Sequence, residues 1–422
     1  MDTIFALSSG PPPAGIGVMR ISGPGASAAL QALAGSLPPP RRATYRTLRD
    51  ANGQPLDQAL ILWLPGPETA TGEDLAELHL HGGRAIIAAV ERALAALPGL
   101  RRAAAGEFTR RAFSNGRIDL AEAEGLADLL AAETELQRQA ALALAGGALS
   151  RKVEGWRFRL LQLAAQLEAV LDFSDEDDVV LPAAFDLELS ALAGEIHDAL
   201  SAPSAEMLRE GFRVALAGPP NVGKSTLFNA LVGDEAAITA PIAGTTRDVL
   251  TRPVAIGGVP FLLIDMAGLR TGSSDPVEVI GIARAEAEIT RADLVLWLGP
   301  SGEGPVNAWE IDAQADRPHD SKPAPALSVS AVTGEGMTEL RDQLVEHALT
   351  CMPKPGQAAL NARQRRLLAG SASALAQALP EHDALIRAEL LREARLGFDR
   401  LVGRSGTEDV LDTLFGRFCI GK

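Results

Sequence analysis

The sequence predicts a multidomain α/β protein: an α+β domain at the N-terminus, an α/β domain inserted in the middle of the chain, and a discontinuous helical-bundle domain made from the segments flanking that insertion. Three observations predict it. The apolar run 212–217 leads into Gly218-Pro219-Pro220-Asn221-Val222-Gly223-Lys224-Ser225-Thr226 and then into the helix-forming stretch Leu227-Phe228-Asn229-Ala230-Leu231, so a glycine-rich phosphate loop lies between a strand and a helix, the context it needs. Residues 119–210 and 349–422 both carry apolar stripes at helical spacing, and each stripe alone would stay wet unless the two pack together. Residues 1–118 read instead as short strands punctuated by Gly/Pro turns.

Composition bounds the rest. A chain of 422 residues accommodates two or three domains, each with its own core. The net charge of −15 makes the whole chain a poor match to a phosphate backbone, but the charge is uneven: residues 119–210 hold 19 acidic against 6 basic residues, and 351–422 hold 11 basic against 8 acidic. The only cysteines, Cys351 and Cys419, are far apart and in no metal-ligand spacing, which argues for a reducing compartment. Met1-Asp2-Thr3-Ile4 has no basic n-region, and no uncharged apolar run approaches the ~18 residues of a membrane helix. These features predict a soluble cytoplasmic protein with no membrane partner.

Within the first domain, 4–7, 17–21, 60–64 and 75–80 are expected strands and 84–97 a helix. In the second segment, Trp156, Leu160, Leu163, Leu167 and Val170 share one helix face, as do Leu189, Leu192, Ile196 and Leu200; the acidic run 172–178 between them reads as a solvated loop. In the inserted domain, spanning 211–348, the signals after the phosphate loop come in order. Gly244-Thr245-Thr246-Arg247-Asp248 lies where a switch loop brings a threonine to Mg²⁺ and the γ-phosphate. The strand 261–264 ends in Asp265-Met266-Ala267-Gly268, a D-x-x-G in which Asp265 holds the water shell of the metal and the Gly268 N–H senses the γ-phosphate. The strand 327–329 ends in Ser330-Ala331, the pair that GTPases place against guanine. Together these read as a P-loop GTPase domain of the Ras-like class. Asn221, Val222, Gly223, Lys224, Ser225 and Thr226 would wrap GTP, with Lys224 on the β/γ-phosphates and Ser225 and Thr246 on Mg²⁺. Pro353-Lys354-Pro355-Gly356 marks the exit into the last helices, where Leu390, Ala394, Phe398 and Leu401 form a stripe.

Two departures from the regulatory GTPase pattern stand out. The residue after D-x-x-G is Leu269, which cannot orient an attacking water, so that group must come from elsewhere. No Asn-Lys-x-Asp precedes Ser330; the best candidate is Ala313-Gln314-Ala315-Asp316, which keeps only the aspartate that accepts from the guanine N1 and N2 hydrogens, in a Gly/Pro-rich stretch that also reads as plain loop.

A series of peptides then carries a resemblance. Asp2-Thr3-Ile4, 15–23 (GIGVMRISG), Thr71-Gly72-Glu73-Asp74, 77–83 (ELHLHGG), Gly106-Glu107-Phe108-Thr109 and 111–120 (RAFSNGRIDL) resemble the N-terminal domain of the MnmE (TrmE) tRNA-modifying GTPases, and Phe418-Cys419-Ile420-Gly421-Lys422 resembles that family's C-terminal Cys-x-Gly-Lys tail. The resemblance implies an N-terminal domain, 1–118, that binds folate and dimerises, a helical domain from 119–210 and 349–422, and the GTPase between. It implies a site for 5-formyl- or 5,10-methylenetetrahydrofolate at Arg20, Glu77, Arg117 and Lys422, with Arg117 where many members have lysine. It implies a catalytic role for Glu278 acting through a bridging water, a tRNA-modifying role for Cys419, and a K⁺ ion held by Asn221, Ala240, Ile242 and Thr245, although Ala240-Pro241 departs from the family's usual Thr-Asp. It further implies a homodimer that works in a heterotetramer with the flavoprotein MnmG on C5 of the wobble uridine of certain tRNAs, its GTPase stimulated by K⁺ as GTPase domains dimerise. Two other readings remain open at this stage: a GTP-switched ribosome-assembly factor, which leaves the folate residues unexplained, and a folate-dependent one-carbon enzyme whose GTPase has decayed. His79 and His81 have no third ligand nearby and do not make a metal site.

Overall fold

The computed structural model describes residues 2–172, 181–233, 236–237, 250–266, 287–317, 322, 327–354, 356–405 and 408–422. The chain divides into two compact units, Met1–Ala127 with Asp399–Lys422, and Asp128–Phe398.

The first unit is built on β1 (Thr3–Leu7), β2 (Ile16–Ser22), β3 (Thr44–Arg49), β4 (Pro55–Leu64), β5 (Leu75–His81) and β6 (Leu100–Arg102), in the order β3-β4-β5-β2-β1-β6. All neighbours are antiparallel except β1 and β6. Alternation decides the faces. Phe5, Met19, Ile21, Ile61 and Leu78 turn to one side, where α1 (Ala26–Ala34) and α2 (Arg84–Ala95) cover them with Leu30, Leu33, Val90 and Leu94. The residues between them face the other way. The register sets Ala6 opposite Arg20 and Arg20 opposite Glu77, so three neighbouring strands line up these side chains on the face away from α1 and α2.

The sequence also holds elements its patterning did not announce. β3 and β6 lie at the two edges of the sheet, and β3 buries only Leu48 fully, so it has no clean alternation to read. Residues 399–422, which the sequence division places with the helical segment 349–422, pack in the first unit: Leu414, Phe415 and Phe418, from the helix Glu408–Phe415 and the turn after it, bury against Phe113, Leu120 and Ala123.

An ionic network ties the start of the chain to α3 (Glu107–Ser114). Arg111 donates to Glu73 at 3.1 Å, Asp2 at 2.7 Å and Glu107 at 3.1 Å, while Arg101 reaches Asp2 and Glu107 at 2.5 Å each. The Arg101 hydrogen bond, helped by Arg111, holds the Asp2 carboxyl below its usual value. Burial works to raise Glu107, but bonds from Arg101, the Ala104 N–H and Arg111 outweigh it and hold that carboxyl low as well. Both carboxylates have depressed pKa values in the folded state, so the stabilisation is fully present above the ordinary carboxylate range and is lost as pH falls through it toward the folded values. Denaturant titrations from about pH 6 to about pH 2 should show stability falling through the acid limb, and Arg111→Met should flatten that slope. An unaltered slope in the variant would dissociate the network from acid lability.

The second unit carries β7 (Phe212–Ala217), β8 (Ala236–Ala237), β9 (Leu250–Ile256), β10 (Val259–Asp265), β11 (Leu294–Trp297), β12 (Trp309–Ala313) and β13 (Leu327–Val329), ordered β13-β12-β11-β7-β10-β9-β8. From β10 through β13 the strands run parallel, and only β9 and β8 are antiparallel additions. All of β10 and nearly all of β7 are buried, the signature of a parallel sheet covered on both faces. On one side Leu227, Phe228 and Leu231 of α9 (Lys224–Gly233) and Leu340 and Leu344 of the helix Met337–Cys351 pack on Val214, Leu216, Phe261 and Leu263. On the other, Ile289 and Ala292 pack on Ala215, Ile264 and Val295. β12 falls inside the stretch that reads as Gly/Pro-rich loop, since only five residues separate its flanking turns.

Between α3 and α9 the chain forms α4 (Leu120–Ala131), α5 (Glu135–Ala145), α6 (Ala148–Asp172), α7 (Phe185–Ser201) and α8 (Ala205–Glu210), and helices from both sides of this sheet domain pack on each other. Trp156 of α6 lies 6.1 Å from Phe398 of the helix Ala384–Leu401, and Arg365 of the helix Ala362–Ala378 donates to the Leu200 carbonyl of α7 at 2.7 Å. Arg387 pairs with Asp186 and lies 4.6 Å over the Phe185 ring. Most of the acidic loop, 173–178, lies outside the described residues. No helix among the described residues is long and apolar enough to cross a membrane.

Candidate functional site

The site grows from the C-terminal end of β7, the strand from which neighbours run out in both directions, where parallel sheets leave a crevice. Gly218 follows with φ 146°, and a β-carbon there would lie 2.9 Å from the Gly299 nitrogen, so the loop can pass only as glycine. Asn221 turns the crest with φ 65°, and α9 begins at Lys224, aiming its unpaired N–H groups into the loop. Lys224 is 6% exposed and donates to the carbonyls of Gly218 at 2.8 Å and Pro219 at 2.7 Å. Burial pushes its ammonium pKa down, against the opposing pull of Asp265.

Because β10 pairs beside β7 with Asp265 opposite Leu216, the carboxylate ends next to the loop. Ser225 Oγ donates to Asp265 Oδ2 at 2.9 Å. A hydroxyl and a carboxylate so placed are the hard oxygen donors Mg²⁺ takes, directly or through its water shell.

A cavity of about 130 Å³ adjoins the loop and shares Gly223 and Thr226 with it. Its walls are Leu227, Ala313, Val329, Ala331 and Val332, and Gln314, Asp316 and Arg317 supply polar atoms, with Arg317 Nε 3.7 Å from Asp316 Oδ2. The turns after β12 and β13 bring these together. Ser330, fully buried, donates to Asp316 Oδ1 at 2.6 Å and accepts from the N–H groups of Val332 at 3.3 Å and Thr333 at 3.2 Å. A slot with apolar walls and the Asp316 carboxylate, fixed by Ser330, at its edge suits a heterocycle with two adjacent N–H donors.

The structure thus gathers Asn221, Gly223, Lys224, Ser225, Thr226, Asp265, Asp316, Ser330 and Ala331 into one region, with Val222 in the loop crest. Ala240, Ile242, Thr245, Thr246, Gly268, Leu269 and Glu278 lie outside the described residues. Gln314, offered by the sequence only as a member of the Ala313-Gln314-Ala315-Asp316 quartet, lines the slot and donates to the Asn221 carbonyl at 3.4 Å.

In the first unit, Arg20 pairs with Glu77 at 2.8 Å and lies 5.9 Å over the Phe108 ring. Arg117 is exposed and runs beside Gly72, in the loop whose Thr71 carbonyl accepts from Asn115 at 2.7 Å. The tail returns to the first strands: Ile420 bridges to Ala105, Gly421 backs onto Leu7 and Ser8, and Lys422 follows, beside the strand whose Ala6 faces Arg20. Cys419 is exposed and free. His79 takes Glu77 at 3.3 Å and His81 takes Asp57 at 2.8 Å, and the described residues hold no metal-binding group of three such side chains.

Gly421 has φ 97°, and a β-carbon would sit 2.1 Å from the Leu7 carbonyl oxygen. Gly421→Ala should therefore release the tail while the sheet stays folded, seen as at least ~10-fold faster amide exchange at Ile420, which bridges to Ala105, with unchanged far-ultraviolet circular dichroism. Equal exchange rates would mean the tail does not depend on this contact.

Comparison with known proteins bears on the whole chain. A family model described as the MnmE helical domain matches residues 120–419, and one described as the GTP-binding protein TrmE N-terminus matches residues 3–117. The tRNA modification GTPase MnmE of Erythrobacter litoralis is 63% identical over all of this chain and all of its own length. That of Novosphingobium aromaticivorans is 63% identical with the same full coverage, and that of Rhizorhabdus wittichii 60% identical over 100% of this chain and 97% of its own. Among solved structures, the G domain of the T. maritima FeoB iron transporter is 30% identical over 32% of this chain and 98% of that one, with a TM-score of 0.24. With two family models spanning nearly every residue and relatives this similar from end to end, the chain belongs to the MnmE (TrmE) family of tRNA modification GTPases.

Proposed function

We propose that this chain hydrolyses GTP in the phosphate loop and couples that cycle to modification of C5 of the wobble uridine of certain tRNAs. The observation that carries the reading is the joining of a phosphate loop, a Ser225–Asp265 pair and a slot edged by Asp316 into one continuous site. Lys224 would supply the positive charge for the β/γ-phosphates, Ser225 with Thr246 would hold Mg²⁺ and Asp265 its water shell, and Asp316 with Ser330 and Ala331 would read the base. Bound Mg²⁺ would supply Lewis-acid stabilisation of the charge on the transferred phosphoryl group. Asn221 at the loop crest, with Ala240, Ile242 and Thr245, would hold K⁺, a cation that offsets the same charge.

The same reading divides the chain into three functional domains: 1–118 for folate and dimerisation, 119–210 with 349–422 as the helical domain, of which 399–422 packs with the first unit, and 211–348 for GTP. In this reading Arg20, Glu77, Arg117 and Lys422 bind the reduced folate, Cys419 takes part in the modification, and a homodimer of the chain works in the cytoplasm with the flavoprotein MnmG. The acidic net charge of −15 favours a division of labour in which the partner supplies much of the positive surface for tRNA.

The test is GTP turnover by the purified chain in potassium against sodium buffer, with Glu278→Ala beside it. Potassium should raise kcat, and the variant should lose turnover by about 10²-fold with nucleotide affinity nearly unchanged. Cation-independent turnover, or equal loss of affinity and turnover in the variant, would contradict the assignments of the K⁺ site and of Glu278.

A further inference from the structure

We infer that the outer edge of the first sheet, β3 with the turn before it, is where this chain holds the sugar–phosphate backbone of tRNA. The inference rests on the reading of the chain as a protein that handles tRNA, and it names the surface that does so. β3 ends the order β3-β4-β5-β2-β1-β6, so one of its long sides has no strand beside it. Arg41, Arg42, Arg46 and Arg49 are all exposed there, in a stretch, 41–49, that holds no acidic residue. The chain as a whole carries −15. A polyanion repelled by most of such a surface is held where positive charge is dense.

The four guanidiniums are oriented without being neutralised. Arg41 donates to the Glu68 carbonyl at 2.6 Å, Arg46 to the Tyr45 carbonyl at 3.0 Å and Arg49 to the Gly53 carbonyl at 2.9 Å. Among the described residues the Arg42 side chain has no partner, and none of the four meets a carboxylate. A neutral acceptor fixes the fork and leaves its charge and most of its donors for a phosphate. The acids nearest in sequence are engaged elsewhere: Asp50 accepts from the Asn52 and Gln54 N–H groups at 2.9 and 2.8 Å, and Asp57 takes His81 at 2.8 Å. The opposite edge of the sheet differs, since Arg101 pairs with Asp2 and Arg102 with Glu91. Tyr45, the only tyrosine of the chain, stands among the arginines 58% exposed, with its hydroxyl held by Gln58 at 2.7 Å. A ring fixed in that way is a platform for an unpaired base. Leu48 is buried, so alternation sends Tyr45 and Arg49 to one face and Arg46 to the other, and positive charge borders the edge on both sides.

The experiment follows binding of a labelled unmodified tRNA transcript to the full-length chain by fluorescence anisotropy across a salt series. Two fourfold variants, Arg41, Arg42, Arg46 and Arg49 all →Gln or all →Lys, are compared with Tyr45→Ala and Tyr45→Phe. GTP turnover without tRNA and mass by light scattering are measured beside them and should not change. The glutamine set should lower affinity by about 10²-fold at low salt and flatten the slope of log K against log salt by about three, while the lysine set keeps the slope. Tyr45→Ala should weaken binding about fivefold or more at an unchanged slope, and Tyr45→Phe should not. An unchanged slope in the glutamine set would overturn the inference. So would self-association of that set with tRNA affinity intact, because the arginines would then serve to guard an open edge against pairing. If the unaltered chain bound no tRNA at any salt, the reading of this chain as itself a tRNA-binding protein would fail, an outcome distinct from a silent substitution.

Discussion

Replacing Lys224 with alanine lowers kcat/KM for GTP by about 10²- to 10³-fold, the expected loss when a fixed positive group is taken from the charge that develops in the transition state. The magnitude follows from where the ammonium sits. It is 6% exposed, held by two carbonyls of its own loop at 2.8 and 2.7 Å, and therefore already oriented before a phosphate arrives. Such a group has little reorganisation left to do. Burial disfavours the charged form and lowers its pKa, while the nearby Asp265 favours keeping it charged. Removing it also strips donors from the Gly218 and Pro219 carbonyls, so the domain's stability should fall by the ~1–3 kcal/mol of an unmade buried bond. The kinetic loss corresponds to about 2.7–4.1 kcal/mol and falls on turnover of the folded enzyme, so assays well below the unfolding transition separate the two effects. A variant that lost stability but kept its turnover would show that the loop's lysine does not act on the phosphates.

Asp316→Asn should carry the second large effect, and on a different quantity. Asp316 Oδ1 is occupied by Ser330, whose hydroxyl is itself fixed by two backbone N–H groups, so the carboxylate can rotate little. In asparagine one oxygen becomes an NH₂, which must point a donor at the donors of guanine. A bond to a charged acceptor contributes about 1.5–3 kcal/mol, so GTP affinity falls by about 10- to 150-fold. A base with a carbonyl where guanine has its amino group should gain over the same step, and competition between GTP and xanthosine triphosphate measures it directly. If the substitution weakened both nucleotides alike, Asp316 would be holding the turn rather than reading the base.

How much of this was legible in the sequence depends on how local each part is. The phosphate loop is nine consecutive residues between an apolar strand and a helix, so its pattern and its geometry are nearly the same thing. β2 and β5 were readable because alternation puts Met19, Ile21 and Leu78 inward and Arg20 and Glu77 outward. β12 was not: Trp309 to Ala313 is flanked by turn residues, and its burial comes from β11 and β13 on either side, which no local pattern reports. The base slot is still less local. It joins the start of α9, the turn after β12 and the turn after β13, and Gln314 lines it only because that folding sets it beside Gly223. The tail is legible through resemblance alone, since its seat depends on Gly421 lying against the Leu7 carbonyl, a contact across the whole chain.

The central claim is that a guanine nucleotide is selected here although Ala313-Gln314-Ala315-Asp316 stands where an Asn-Lys-x-Asp is expected. Equilibrium titration of the unaltered full-length chain with GTP and with ATP, both with Mg²⁺ and K⁺, tests it most directly. The account predicts that GTP binds at least ~10²-fold more tightly than ATP, since ATP would leave the Asp316 carboxylate facing a ring without those donors. Indistinguishable affinities for the two nucleotides would contradict it.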